Sequence, residues 1–262
     1  MKPLYIKALI LTAILSLACT TKVSEWVLLN AFPDRYLLVY YHKTPLSESI
    51  KVQNRDLTEK FKSANIQLRT LQKEDISAPH YALYYNNRLF SEYADSKELG
   101  DMVFSPLRNK IASELMSGKL CVMLYLKSGN KEKDEKGIEV IRQTIAISPF
   151  GEIIPVIELD RDNDEEKHFV SMLLNVESDL IDINEPMLFG VFGRLRVLEP
   201  LLAKGISSEN VNLMIDFLTA DCSCVIKDDL PGINILYGGT WDNPLPAMVN
   251  RILDENPLLV HH

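Results

Sequence analysis

Apolar residues in this chain fall into short runs whose period switches between that of a strand and that of a helix. Tyr36-Leu37-Leu38-Val39-Tyr40-Tyr41 is a continuous apolar and aromatic run, as expected for a strand buried on both faces. A helix-like stretch closes over Leu57 to Ala64, and Ile66-Gln67-Leu68-Arg69-Thr70-Leu71 then alternates as a second strand. Strand, helix, strand in that order reads as a parallel crossover. Ala78 to Tyr85 and Arg88 to Tyr93 are two more apolar runs, separated by Asn86-Asn87. Asn tolerates positive φ, so the pair predicts a two-residue hairpin turn. Ser105-Pro106 then supplies an N-cap residue and a proline at the first helical position, with Ile111, Leu115 and Met116 on the apolar side of the helix that follows.

The order then recurs. Leu120-Cys121-Val122-Met123-Leu124-Tyr125-Leu126 is a buried-type strand, and Glu135 to Ala146 is helical, with Ile138, Ile141 and Ile145 at helical spacing. Phe169-Val170-Ser171-Met172-Leu173-Leu174 reads as a further strand. The segment Glu185 to Leu198 echoes the one that begins at Pro79: proline, apolar strand, turn, arginine and second strand, in the same sequence. Two segments this similar point to an internal duplication.

At these segments the chain resembles the thioredoxin-like fold, in which a β-α-β half is followed by a proline, commonly cis, that opens a hairpin and faces the active site. The resemblance implies an α/β protein of two tandem thioredoxin-like units, each a β-α-β followed by a Pro-initiated hairpin and helix, with Pro79 and Pro186 as the structural cis prolines. It also marks a departure. Members that are oxidoreductases carry Cys-x-x-Cys at the end of the first strand, where a helix N-terminus lowers the pKa of the attacking thiol. Here the first repeat has His42-Lys43-Thr44-Pro45 and the second Lys127-Ser128-Gly129-Asn130, with no thiol in either. The implied role is a non-catalytic binding or assembly module acting on a protein partner.

The first nineteen residues set the location. Lys2 and Lys7 flank a basic start, Ala8 to Leu15 is apolar, and Ser16-Leu17-Ala18-Cys19 follows, the layout of a bacterial export signal. Small residues at Ser16 and Ala18 suit an ordinary signal peptidase, whereas an apolar run ending in Ala before Cys resembles the lipobox of bacterial lipoproteins, whose Cys is diacylated. The lipobox match departs at Ser16, where that family usually has Leu. An uncleaved membrane anchor is a third reading, but Leu4 to Ala18 carries Lys7 and falls short of the roughly 20 apolar residues a span needs. The lipoprotein reading gives a signal peptide over 1–19, a linker over 20–34, and units over 35–118 and 119–262, with Cys19 holding the protein to a membrane facing the periplasm or cell surface.

Composition agrees with a soluble body behind that anchor. At 262 residues, 47% hydrophobic and 24% charged, the chain can bury a core and is not disordered. A formal charge of −8 argues against a nucleic-acid partner, which requires clustered Lys and Arg. No cofactor motif is present, since Gly238-Gly239 lacks the strand and helix that flank a phosphate cradle and reads as a turn.

The remaining candidate chemistry lies in the thiols. Cys121 falls inside an apolar strand, where a buried inert thiol is the expected outcome. Cys222 and Cys224 follow a helix-like segment, Ser208 to Leu218, and four readings stay open: a thiol-disulfide exchange pair, two ligands of a metal, a structural disulfide, or two packed thiols. His42, His80 and His168 show no metal-ligand spacing to the pair. Arg194 and Arg196 alternate on one strand face and, if turned toward the pair, would favour thiolates or an anion; the alternative is edge-strand solubility. Asp160 to Glu166 begins like a calcium loop but has Glu165 where the turn needs Gly, and so reads as a solvated charged loop. Lys131 to Lys136 alternates in sign and reads as an exposed helix start. Trp241 reads as core-edge packing or as a surface binding anchor.

Overall fold

The computed structural model of the protein describes residues 21–222 and 229–245. The leader with Cys19, the segment with Cys224 and the expected strand Val225-Ile226, and residues 246–262 lie outside the described residues. A short helix α1 (Val23–Asn30) precedes strand β1 (Tyr36–His42), helix α2 (Glu48–Lys60), β2 (Ile66–Gln72), β3 (His80–Tyr85), β4 (Arg88–Tyr93) and α3 (Pro106–Met116). Then come β5 (Cys121–Lys127), α4 (Lys131–Ile147), β6 (Val156–Asp160), α5 (Lys167–Leu173), β7 (Met187–Phe192), β8 (Arg196–Val197), β9 (Leu201–Leu202), α6 (Ser208–Thr219) and β10 (Ile233–Asn234).

The strands form two sheets, so the chain is a mixed α/β protein. The first sheet runs β2-β1-β3-β4, and the second runs β10-β8-β7-β5-β6 with β9 beside β7. In each, the central strand pairs parallel with the strand across the helix and antiparallel with the first hairpin strand: Leu38 lies between Leu68 and Leu83, and Leu124 between Ile157 and Phe189. Local chemistry fixes the joints. Asn86 and Asn87 take φ of 47° and 63°, giving the two-residue hairpin turn expected from the sequence. Ser105 Oγ accepts the Arg108 backbone N–H, with Pro106 opening α3.

The two sheets share one core. Tyr36, Leu38 and Tyr40 of β1 belong to the same buried cluster as Val122, Leu124 and Leu126 of β5 and Phe189 of β7, with Ile111 and Leu115 of α3 and Phe169, Met172 and Leu173 of α5 between them. The opposite face of the second sheet carries a separate cluster, in which Cys121, Met123 and Tyr125 meet Ile141 and Ile145 of α4 and Val211, Ile215 and Leu218 of α6. β5 is therefore buried on both faces, as its unbroken apolar run requires.

Four expectations are corrected. Phe169 to Leu173 lies in helix α5, with Leu174 as its C-cap, and the strand parallel to β5 is Val156–Asp160. A six-residue apolar run fits a buried helix as well as a buried strand, while Val156-Ile157-Glu158-Leu159-Asp160 has the alternation of an edge strand. Within the expected linker, Val23–Asn30 is helix α1, whose Val23 and Val27 are buried against the second sheet and its helices. Ser24 Oγ donates to Leu218 O at 2.8 Å, and Val23 N donates to Ala220 O at 2.9 Å. Gly193, at φ 55°, lets α1 sit this close, since a Cβ there would stand 2.3 Å from Val27 Cγ1. Third, the charged loop after β6 is not wholly solvated: Glu166 is buried, and its Oε1 accepts the Leu107 N–H at 2.7 Å. Finally, the peptide bonds before Pro79 and Pro186 are trans. Each proline leads an extended chain directly into its strand, with His80 opposite Tyr41 and Met187 opposite Leu126, so no tight turn calls for the cis form.

The first and last described segments cross between the sheets. α1 docks on the second sheet, and the strap after β10 returns to the first, where Gly238 N donates to Val103 O at 2.8 Å and Tyr237 N donates to Asn65 Oδ1 at 2.9 Å. Arg108, fully buried at the start of α3, ties these parts together. Its guanidinium donates to Ser105 Oγ, Met102 O, Asp101 O and, on the strap, Leu236 O, and lies 5.8 Å from the Phe169 ring centroid. Replacing it with Met leaves those carbonyls unpaired and Glu166 uncompensated. Arg108→Met is expected to destabilise the protein by about 3 kcal/mol in urea unfolding, and Arg108→Met with Glu166→Met to cost less than the sum of the two single changes.

His168, half-buried against Tyr93, has its pKa pushed below the ordinary 6.5 by burial, then by Lys167 and Arg108. The unfolded chain takes up this proton first as pH falls. Stability contributed by the neutral ring is therefore present above pH 6.5 and lost as pH drops below it. His168→Asn is expected to flatten that part of the stability profile, read as unfolding midpoint against pH.

Candidate functional site

In each sheet the end of the central strand meets a helix start and the loop that carries the proline. In the first sheet this corner is built from short-range polar contacts. The His42 ring holds Thr44 O through Nδ1 at 2.8 Å, which places its proton on that nitrogen, and Gln72 Nε2 donates to Lys43 O at 3.0 Å. Ser47 caps α2 through its hydroxyl. Pro79 is exposed, and His80 next to it engages Ala78 O through Nδ1 and faces Glu92 at 3.4 Å through Nε2. Behind them the Tyr40 and Tyr81 rings pack 4.7 Å apart, with the Tyr81 hydroxyl donating to Asn54 Oδ1. The corner holds no thiol.

The second corner is filled by a carboxylate. Asp134, in the first turn of α4 and buried, accepts from Ser128 N and Ser128 Oγ at 2.8 Å through one oxygen and from Gly129 N at 3.0 Å through the other. An acid at a helix N-terminus is stabilised by the helix dipole as well as by these donors. The Tyr125 hydroxyl donates to Asp134 O, and burial, followed by the Asp134 charge, pushes this phenol well above its ordinary pKa. Gly137 is required here, because a Cβ would meet Tyr125 Oη at 2.3 Å.

Beside this corner a cleft of 670 Å³ opens between α4, Pro186 and the turn after β9. Its apolar wall is Val140, Leu202, Ala203 and Ile206, and Lys133, Lys136 and Lys204 stand around it. Lys133 Nζ is 2.5 Å from Glu185, which joins the helix start to the proline loop. Arg161 holds the same loop by donating to Ile183 O and Glu185 O. Lys136 and Lys204 make no ion pair among the described residues. Ala203 takes φ of 40°, a left-handed conformation that Ala seldom adopts, and its N–H donates to Pro186 O. The cleft is thus a pre-formed apolar groove with cationic edges, of a size that suits a ligand or a peptide segment.

The other candidates fall elsewhere. Cys121 is fully buried in β5, and burial pushes its thiol up to about 12, as fits an inert packed side chain. Cys222 is buried at the end of α6, where its N–H donates to Thr21 O at 2.9 Å beside the Lys22–Asp221 ion pair; Cys224 lies outside the described residues. Arg194 and Arg196 do not turn toward Cys222. Arg196 is spent on Asp34, Asn234, Leu230 O and Pro231 O, and Arg194 donates through Nε to Leu28 O. Among the described residues no group of three or more His, Cys, Asp or Glu side chains is placed to hold a metal ion. Asp134 was hidden in an alternating charged run. The signal that singles it out is Ser128-Gly129-Asn130 just before it, a turn whose free N–H groups call for an acceptor one helical turn later.

No family model matches the chain, and no curated protein matches it. Among solved structures, that of the first two thioredoxin domains of Naumovozyma dairenensis Eps1p is similar at 12% identity, over 74% of this chain and 94% of that one, with a TM-score of 0.28. At that score the likeness carries no weight for function.

Proposed function

We propose that the chain is an exported, membrane-anchored lipoprotein whose two thioredoxin-like units act as a non-catalytic binding or assembly module for a protein partner. The observation that carries this reading is the cleft beside Pro186. It lies where the resembled family keeps its reacting thiol, yet the helix start holds Asp134, satisfied by Ser128 and Gly129, in place of a nucleophile. The strand order of both sheets supports the thioredoxin-like assignment. The anchor rests on Ser16-Leu17-Ala18-Cys19. An apolar wall with Lys136 and Lys204 at its edge suits a partner segment bearing apolar and acidic side chains.

Three measurements test this. Radiolabelled palmitate is expected to label the full chain in bacterial cells and to be lost in Cys19→Ser; labelling that survives the change sinks the anchor. The purified protein is expected to catalyse no thiol-disulfide exchange beyond that of its Cys222→Ser, Cys224→Ser variant, and a rate that depends on this pair replaces the binding reading with an oxidoreductase. A photo-crosslinking residue at Val140 in the membrane-bound protein is expected to give a discrete adduct that Lys136→Glu with Lys204→Glu reduces about tenfold.

A further inference from the structure

At the opposite end of the first sheet, where β1 and β2 begin, lies a second cleft of 710 Å³, bounded by the end of α2, the β7–β8 turn and the strap after β10. We propose that it binds a small anionic ligand with a flat aromatic body. The proposal adds a second site to the binding role and is independent of the cleft beside Pro186.

Its floor is built. Asn65 donates to Asp34 O at 2.8 Å and to Ile235 O at 3.3 Å, and accepts from Tyr237 N at 2.9 Å, so one side chain fixes three walls. The Ser63 hydroxyl donates to Gly238 O beside it. Tyr237 and Trp241 meet edge to face with centroids 5.3 Å apart, and Phe32 stands at the mouth with 89% of its surface exposed. These rings offer faces to a flat group.

The charge on the cleft is one-sided. Arg35, Lys62 and Arg194 line it and no carboxylate does, in a chain of net charge −8. Asp34 is the acid nearest in sequence, and it faces inward, where its Oδ2 accepts from Arg196, the Tyr85 hydroxyl and Asn234 N. Arg35 therefore has no hydrogen bond or ion pair among the described residues. Lys62 has only an exposed 3.4 Å contact with Glu59, which is worth little. Arg194 uses Nε on Leu28 O, and its terminal nitrogens have no hydrogen bond among the described residues. Two guanidinium groups and an ammonium around an acid-free, aromatic-walled cavity match one phosphate, sulfonate or carboxylate carried on a ring. Three cations are too few to hold a polyanion against the charge of the rest of the chain.

The test is calorimetric titration of the full chain with 1-naphthyl phosphate, alongside neutral 1-naphthol. Saturable binding of the phosphate is expected, weakened about tenfold in Arg35→Gln with Lys62→Gln and also weakened in Trp241→Ala. Both charged side chains are exposed and outside the core, so the double variant is expected to keep the parent unfolding temperature, which a thermal melt checks. Equal affinity for 1-naphthol, unchanged binding in the charge variant, or no saturation up to about 1 mM overturns the proposal. None of these results bears on thiol exchange or on crosslinking at Val140.

Discussion

The buried guanidinium of Arg108 is the constraint around which the two sheets are assembled. A charge with no contact to water is tolerated only where its N–H groups find acceptors and an opposite charge lies near. Here the acceptors come from its own cap at Ser105, from the loop at Asp101 and Met102, and from Leu236 on the strap. The opposite charge is Glu166, which also receives the Leu107 N–H and so caps α3 from the second sheet's side. Even so, burial lowers the guanidinium's pKa to about 10. Phe169, fully buried, lies against the same group. One side chain thus links α3, the loop before it, the connection after β6 and the returning strap.

Because the strap is held there, the cleft lined by Trp241 acquires a fixed wall. Leu236 on Arg108 and Tyr237 on Asn65 are neighbours, so the order of the Arg108 network extends into the cleft lined by Trp241. The cleft beside Pro186 is set instead by Asp134 and Arg161, which pin the helix start and the proline loop from opposite sides. The two clefts differ in kind. That beside Pro186 has an apolar wall with lysines at its edge, and that beside Trp241 is lined by aromatic rings, two arginines and a lysine.

Much of the architecture was legible in the residues. The unbroken runs at Tyr36 and Leu120, the Asn86-Asn87 turn and the Ser105-Pro106 start all record local requirements, and each stands where the pattern placed it. What failed was local too, but ambiguous. Phe169 to Leu174 satisfies a buried helix or a buried strand equally, and only the parallel pairing of Val156–Asp160 with β5 decides between them. α1 leaves no clear signature in the pattern, because a two-turn helix with Val23, Val27 and Leu28 inward and Trp26 and Leu29 further out has little contrast between its faces. The connections also differ where the repeat suggested sameness: no helix lies between β2 and β3, whereas α5 lies between β6 and β7.

By itself the sequence determined the strand and helix periods, the repeated order of elements, the absence of a thiol at either helix start and the acidic balance of the chain. These are properties of neighbouring residues or of the whole composition. The tertiary structure alone decided that α1 and the strap cross to opposite sheets, that Arg196 turns to Asp34 and not to Cys222, and that Arg35, Lys62 and Arg194 meet around one cleft. The reason is distance along the chain. A pattern of burial records that a side chain is covered, but its partner can stand two hundred residues away, as Asp34 does from Asn234, and only packing brings the two together.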